Sequence, residues 1–178
     1  MPRLFAILIT ISVALAACAP QQAVTIGSDG RALPKIYRIS RSDTDKIQFR
    51  MLDAVNALRG ASSQPLLAFN SQLNAAAATH SRDMSVQNRP WHFGSDGSSP
   101  TERVQRAGYT GKLLGENISE TYESELETLG AWIDQPDTRR VILTPDATHL
   151  GFAWFQEKNG KIWWTLITGR NAAFPDPV

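Results

Sequence analysis

Leu150-Gly151-Phe152-Ala153-Trp154-Phe155-Gln156-Glu157-Lys158-Asn159-Gly160-Lys161-Ile162-Trp163-Trp164-Thr165-Leu166-Ile167, residues 150–167, is the stretch on which the fold class turns. Leu150, Phe152 and Trp154 alternate, and so do Ile162, Trp164 and Leu166. A period of two marks extended strands, because successive side chains leave a strand on opposite faces. Asn159-Gly160 between the runs predicts a β-hairpin closed by a two-residue turn with positive φ at both positions. Trp163 and Ile167 place large apolar groups on the second face of the second strand, which predicts a sheet covered by helices on both sides.

Upstream the period changes to that of helices. Ser42-Asp43-Thr44-Asp45 supplies capping residues, after which Ile47, Met51, Ala54, Val55 and Leu58 recur at helical spacing before Gly60. Asn70 caps a second expected helix, whose Leu73, Ala76, Ala77, His80 and Met84 share a face and which ends near Asn88-Arg89-Pro90. Ser99-Pro100 opens a short helix over Thr101 to Ala107, closed by Gly108. Glu123 to Asp134 carries Leu126, Leu129 and Ile133 at helical spacing, and Pro136 is expected to stop it. The fold class is α+β.

The first residues read as an export signal: Met1-Pro2-Arg3, an apolar run from Leu4 to Ala14, then Leu15-Ala16-Ala17-Cys18. The run is shorter than the roughly 20 residues of a membrane-spanning helix. Leu-Ala-Ala-Cys resembles the lipobox of bacterial lipoproteins, which implies removal of 1–17 and acylation of Cys18 as a membrane anchor. Cys18 is the single cysteine, so no disulfide forms within the chain. Residues 18–41, rich in Gln, Gly, Ser and Pro, are expected to be a flexible tether, 42–170 one domain, and 171–178 a tail. Ala19 stands where Asp would signal inner-membrane retention. The expected location is therefore the outer membrane facing the periplasm in a two-membrane cell, or otherwise the outer face of the plasma membrane. With 18 basic and 17 acidic residues and no run of one sign, nothing marks a nucleic-acid partner.

The centre of the chain carries an order of motifs: His80-Ser81-Arg82-Asp83-Met84, His92-Phe93-Gly94-Ser95-Asp96-Gly97, Glu102-Arg103, Ala107-Gly108-Tyr109 and Gly115-Glu116-Asn117-Ile118. Trp132, Arg139, Ile142-Leu143, Pro145 and Leu150-Gly151 follow. In this order the chain, over roughly Asp45 to Thr168, resembles a bacterial member of the CAP superfamily of cysteine-rich secretory, antigen-five and pathogenesis-related proteins. The resemblance implies a three-layer α-β-α sandwich with a mainly antiparallel central sheet and a C-terminal hairpin. It also implies a cleft with a His and Glu cluster that binds a divalent metal in some members. By position His92 is the first cleft histidine and Glu116 the first cleft acid. Thr138 stands in the place of the second histidine, and the second acid falls near Trp132, where Asp134 and Gln135 are the nearest residues.

The departure at Thr138 weighs against metal. Zinc catalysis uses three protein ligands, and His92 with Glu116 supplies two, a neutral hydroxyl being a poor third. No calcium-loop motif is present either, so no cofactor is expected. His80 lies on an apolar helix face and reads as a packed core residue. His92 and Glu116 read equally as loop-orienting or functional residues. The Trp residues at 132, 154, 163 and 164 read as core. A non-catalytic envelope module with a degenerate cleft, binding a lipid, a cell-wall component or an envelope protein, is the expected function. The alternative is an envelope hydrolase with His92 as general base and Glu116 orienting it, although no Gly-x-Ser-x-Gly elbow or His-Glu-x-x-His motif supplies a nucleophile or zinc site.

Overall fold

The computed structural model describes residues 37–171. The expected signal at 1–17, Cys18, the tether up to residue 36 and the tail from 172 lie outside the described residues. Residues 37–40 run extended along the hairpin end: Tyr37 O accepts from Gln156 Nε2 (2.8 Å) and Ile39 N–H donates to Gln156 Oε1 (3.0 Å). Arg38 donates to the carbonyls of Glu157 and Lys158.

A short 3-10 turn, Arg41–Asp43, leads into α1 (Thr44–Ala61), which buries Ile47, Met51, Val55 and Arg59 along one stripe. Arg59 is fully buried and pairs with no carboxylate among the described residues. Its guanidinium donates to Pro65 O (2.7 Å), Ile142 O (2.8 Å), Thr144 O (2.9 Å) and Ala147 O (3.3 Å). After β1 (Ala68–Phe69), the Asn70 side chain accepts from Leu73 N–H and starts α2 (Ser71–Gln87). Asn88 ends it in the left-handed region at φ 48°. α3 (Pro100–Arg106) and α4 (Glu125–Asp134) each begin with a reciprocal capping box, Ser99 with Glu102 and Ser124 with Glu127.

Pro136 does more than stop α4. Gln135 is extended (ψ 129°), as the residue before a proline must be, and Pro136 opens α5 (Pro136–Leu143) as its first residue. A second difference falls on Gly115-Glu116-Asn117, which the sequence reading assigns to no strand. It lies inside the strand β2 (Lys112–Ser119), where a register shift between Leu113 and Gly115 breaks the period of two that would have revealed it.

β3 (His149–Gln156) and β4 (Ile162–Arg170) form the expected hairpin. Its turn differs: Gly160 N–H donates to Glu157 O, and Gly160 alone takes positive φ (104°) while Asn159 does not. The loop thus has three residues ending in a left-handed glycine, the form in which a tight turn is followed by a glycine bulge. The sheet order is β1-β3-β4-β2, with β3–β4 and β2–β4 antiparallel and the two-residue β1 parallel to β3. It is a mixed four-stranded sheet with five α-helices among the described residues, an α+β fold.

Each sheet face has its own core. Ile47, Met51, Val55, Leu129, Trp132 and Ile142 pack on Phe152, Trp164 and Leu166, with the Phe152 and Trp164 rings stacked at 5.6 Å and 8°. Leu73, Ala76, Ala77, Val104 and Tyr109 pack on Ala153 and Ile167. On that second face α2 lies so close that a Cβ at Gly151 would sit 2.3 Å from the Leu73 carbonyl carbon. The missing side chain at Gly151 permits that approach. Trp132, Trp163 and Trp164 are buried, each indole N–H donating to the protein, in keeping with their reading as core.

Candidate functional site

Alternation along β2 decides which side chains can meet. Gly115 faces α5, where a Cβ would touch Val141, and Asn117 Nδ2 donates to Thr138 O on the same side. Glu116 therefore points the other way, toward α2 and α3. There its carboxylate, 2% exposed, meets residues from three further segments. His92, in the loop between α2 and α3, donates from Nδ1 to Oε1 at 2.9 Å. Arg103 of α3 donates from Nη2 to Oε1 (3.1 Å) and Oε2 (2.8 Å), and to His92 O (3.0 Å). His80 of α2, fully buried, holds Nε2 3.6 Å from Oε1.

The electrostatics follow from this crowding. Burial pushes the Glu116 carboxyl up, but the His92 hydrogen bond and the charges of His80 and Arg103 outweigh it and hold the group below its ordinary value. His80 is lowered too, but for a different reason: burial, aided by Arg103 and His92 and resisted by Glu116, pushes it down to about 4. At neutral pH the cluster is an anionic Glu116 bound by cationic Arg103, with His80 neutral behind it and His92 half exposed at its mouth.

The loop held by this cluster is itself ordered. Asp83 accepts from Ser95 N–H (2.7 Å) and Ser95 Oγ (2.5 Å), and Asp96 accepts from Ser98 N–H (2.9 Å). Its outer surface is aromatic, with Trp91 and Phe93 rings 5.4 Å apart and the Arg89 guanidinium 3.9 Å above Trp91. Phe93 is 46% exposed and neighbouring Val86 76% exposed. Behind the loop a cavity of about 490 Å³ opens between α2 and α3, reaching Val86, Ser95, Arg103 and Arg106.

Of the four cleft residues expected from the sequence, the structure brings two together, His92 and Glu116. Thr138 turns its hydroxyl onto the carbonyls of Trp132 (2.6 Å) and Gln135 (3.3 Å), joining α4 to α5. Asp134 is exposed at the end of α4 and pairs with none of the described residues. His80 and Arg103 join the cluster without having been assigned to it from the sequence. The signal for Arg103 was indirect, since a buried acid has to find a cation. These residues do not fit a divalent metal. The guanidinium occupies both oxygens of Glu116, its fixed charge repels a cation, and Thr138 offers nothing to that side. Among the described residues no group of three or more His, Cys, Asp or Glu side chains is arranged to hold a metal ion. No helix among them is long and apolar enough to cross a membrane.

Comparison with known proteins gives a consistent result. The profile of the cysteine-rich secretory protein family, CAP, matches residues 52–167. An uncharacterized protein of Bacillus subtilis, YkwD, is 26% identical over 129 residues, covering 72% of this chain and 49% of its own length. An extracellular protein containing an SCP domain from Bacillus anthracis superposes with a TM-score of 0.66 at 24% identity, over 75% of this chain and 45% of that one. An outer surface protein of Borrelia burgdorferi superposes with a TM-score of 0.65 at 15% identity, over 72% of this chain and 96% of that one. The chain thus spans about half the length of its Bacillus relatives.

Proposed function

Because the chain belongs to the CAP family of cysteine-rich secretory proteins, we propose that it is a cell-envelope binding module, anchored through acylated Cys18, in which the His/Glu cleft serves as scaffold. Its helices on the two sheet faces read as the outer layers of an α-β-α sandwich, whose strands pair mainly in antiparallel fashion. The observation that carries the functional reading is the double occupation of Glu116 by Arg103 and His92. An acid committed to a buried ion pair is a poor proton acceptor, and its removal from water is offset by the ordering of the loop. What the ordered loop offers to solvent is Trp91, Phe93 and Arg89, groups that bind apolar or ring-bearing ligands by burial and stacking. The ligand class is an amphipathic envelope component, a lipid or a cell-wall fragment. Leu15-Ala16-Ala17-Cys18 supports placement on a membrane surface.

The test is a thermal-shift panel of envelope lipids and cell-wall fragments on the 37–171 domain, repeated with Trp91→Ala and Phe93→Ala. Stabilisation by a member of the panel that these variants lose supports the proposal, and a flat panel overturns it. Acyl-label incorporation in cells, abolished by Cys18→Ser, tests the anchor.

One observation favours the hydrolase alternative. His92 donates to Glu116 from Nδ1, which leaves Nε2 on its half-exposed edge, the arrangement of an oriented general base. Hydrolysis of envelope substrates that disappears in folded His92→Ala and Glu116→Gln would establish it over the binding role.

A further inference from the structure

A second polar constellation lies apart from the cluster and shares no residue with it. The Tyr109 ring is buried, and its hydroxyl has two partners, the Arg170 carbonyl at 2.9 Å and His149 Nδ1 at 3.0 Å. A phenol has one proton to donate, and the carbonyl can only accept. The proton therefore goes to Arg170 O, and His149 must donate its own from Nδ1 to the phenol oxygen. The two rings meet edge to face, 5.9 Å apart at 79°, which fixes the imidazole plane. Burial pushes the Tyr109 hydroxyl up to about 12, so it keeps its proton throughout the ordinary pH range.

This bonding settles the tautomer of the neutral ring. With the proton on Nδ1, Nε2 is a bare acceptor, and no protein group bonds it among the described residues. His149 lines a pocket of about 260 Å³ with Asn70, Gln72, Gly108, Thr110 and Gly111. A side chain at Gly111 would strike Arg170 O at 2.1 Å, so the glycine lets the pocket wall close against the end of β4 and the Tyr109 ring. Among the described residues no Lys, Arg, Asp or Glu side chain lines the pocket. The volume lies just under the roughly 300–1,000 Å³ of sites for drug-sized ligands, which suits a single ring better than an extended chain.

We propose that the Tyr109–His149 pocket is a second binding site, for a neutral hydroxyl-bearing ligand of one sugar ring, with a ligand hydroxyl donating to His149 Nε2. A charged ligand would find no counter-charge among the described lining residues, and an apolar one would leave Nε2 and the Thr110 hydroxyl without partners.

The test reads the imidazole nitrogens of ¹⁵N-histidine-labelled protein, with His149 identified by the signals lost in His149→Gln. In the pH range where the ring is neutral, the Nδ1–H form is expected, against the Nε2–H form preferred in water, and Tyr109→Phe is expected to release that bias. Titration with glucose, galactose and N-acetylglucosamine should move the His149 Nε2 resonance saturably, with binding about tenfold weaker in a folded His149→Gln. An Nε2–H tautomer in the wild type overturns the proposal, as does no response to any of the three sugars or a response to acetate alone. Because the readout sits on His149, its failure is distinguishable from failure at the Trp91 loop.

Discussion

Replacing Arg103 by Met tests the central cluster directly. The change keeps much of the aliphatic bulk and removes the cation from a carboxylate that is 2% exposed. Breaking one side of a buried pair costs about 3–5 kcal/mol, because the remaining charge stays out of water. His92 still donates to Glu116 and is half exposed, so the lower end, about 3 kcal/mol, is expected. For a domain of this size that lowers Tm by about 10 °C. Urea unfolding from pH 4 to 8 also reads the pairing. In the wild type Glu116 is held below its ordinary value, so its contribution is present above the carboxylate range and lost as pH falls through it. Without Arg103 two of the contributions that lower the group are gone, so this pH dependence should shrink. In a Glu116→Gln background the same Arg103 replacement should cost at least 2 kcal/mol less, as roughly expected for a broken contact. A loss below about 1 kcal/mol at pH 7, or an equal loss in both backgrounds, would refute the pairing.

Two further outcomes follow from the same packing. His80 is pushed down to about 4 from an ordinary 6.5, so the stability of the neutral buried ring is intact above pH 6.5 and lost as pH falls toward 4. The loss is about 3 kcal/mol, and His80→Phe, followed by urea titration at each pH, should flatten that part of the profile. Gly151→Ala would press a methyl group into the α2 backbone at Leu73, 2.3–2.6 Å away. A cost of about 2–4 kcal/mol, measured by thermal unfolding, is expected from overpacking against main chain that cannot give way.

The hairpin, the first two helices and both start signals at Asn70 and Ser99 were legible because each rests on local rules: period, capping and turn chemistry. What stayed hidden was non-local. β2 has Leu113 and Leu114 side by side and a shift before Gly115, so no alternation survives to be read. β1 has two residues, too few to carry a period. At the site, His92 and Glu116 were legible from their motifs, while His80 looked like core. It is core, and it also lies against Glu116. Whether Thr138 could face Glu116 depended on the phase of a strand that the sequence concealed.

The buried guanidinium of Arg59 has a consequence for how the chain folds. Its bonds gather carbonyls from residue 65 and from residues 142–147, so one side chain of α1 joins segments more than 80 positions apart. A charge in that setting is costly until its carbonyl partners are assembled around it. Early docking of α1 without the 142–147 segment therefore brings little gain. The first helix and the loop before β3 should lock together in one late, cooperative step, and intermediates with α1 packed but that loop still open should be poorly populated.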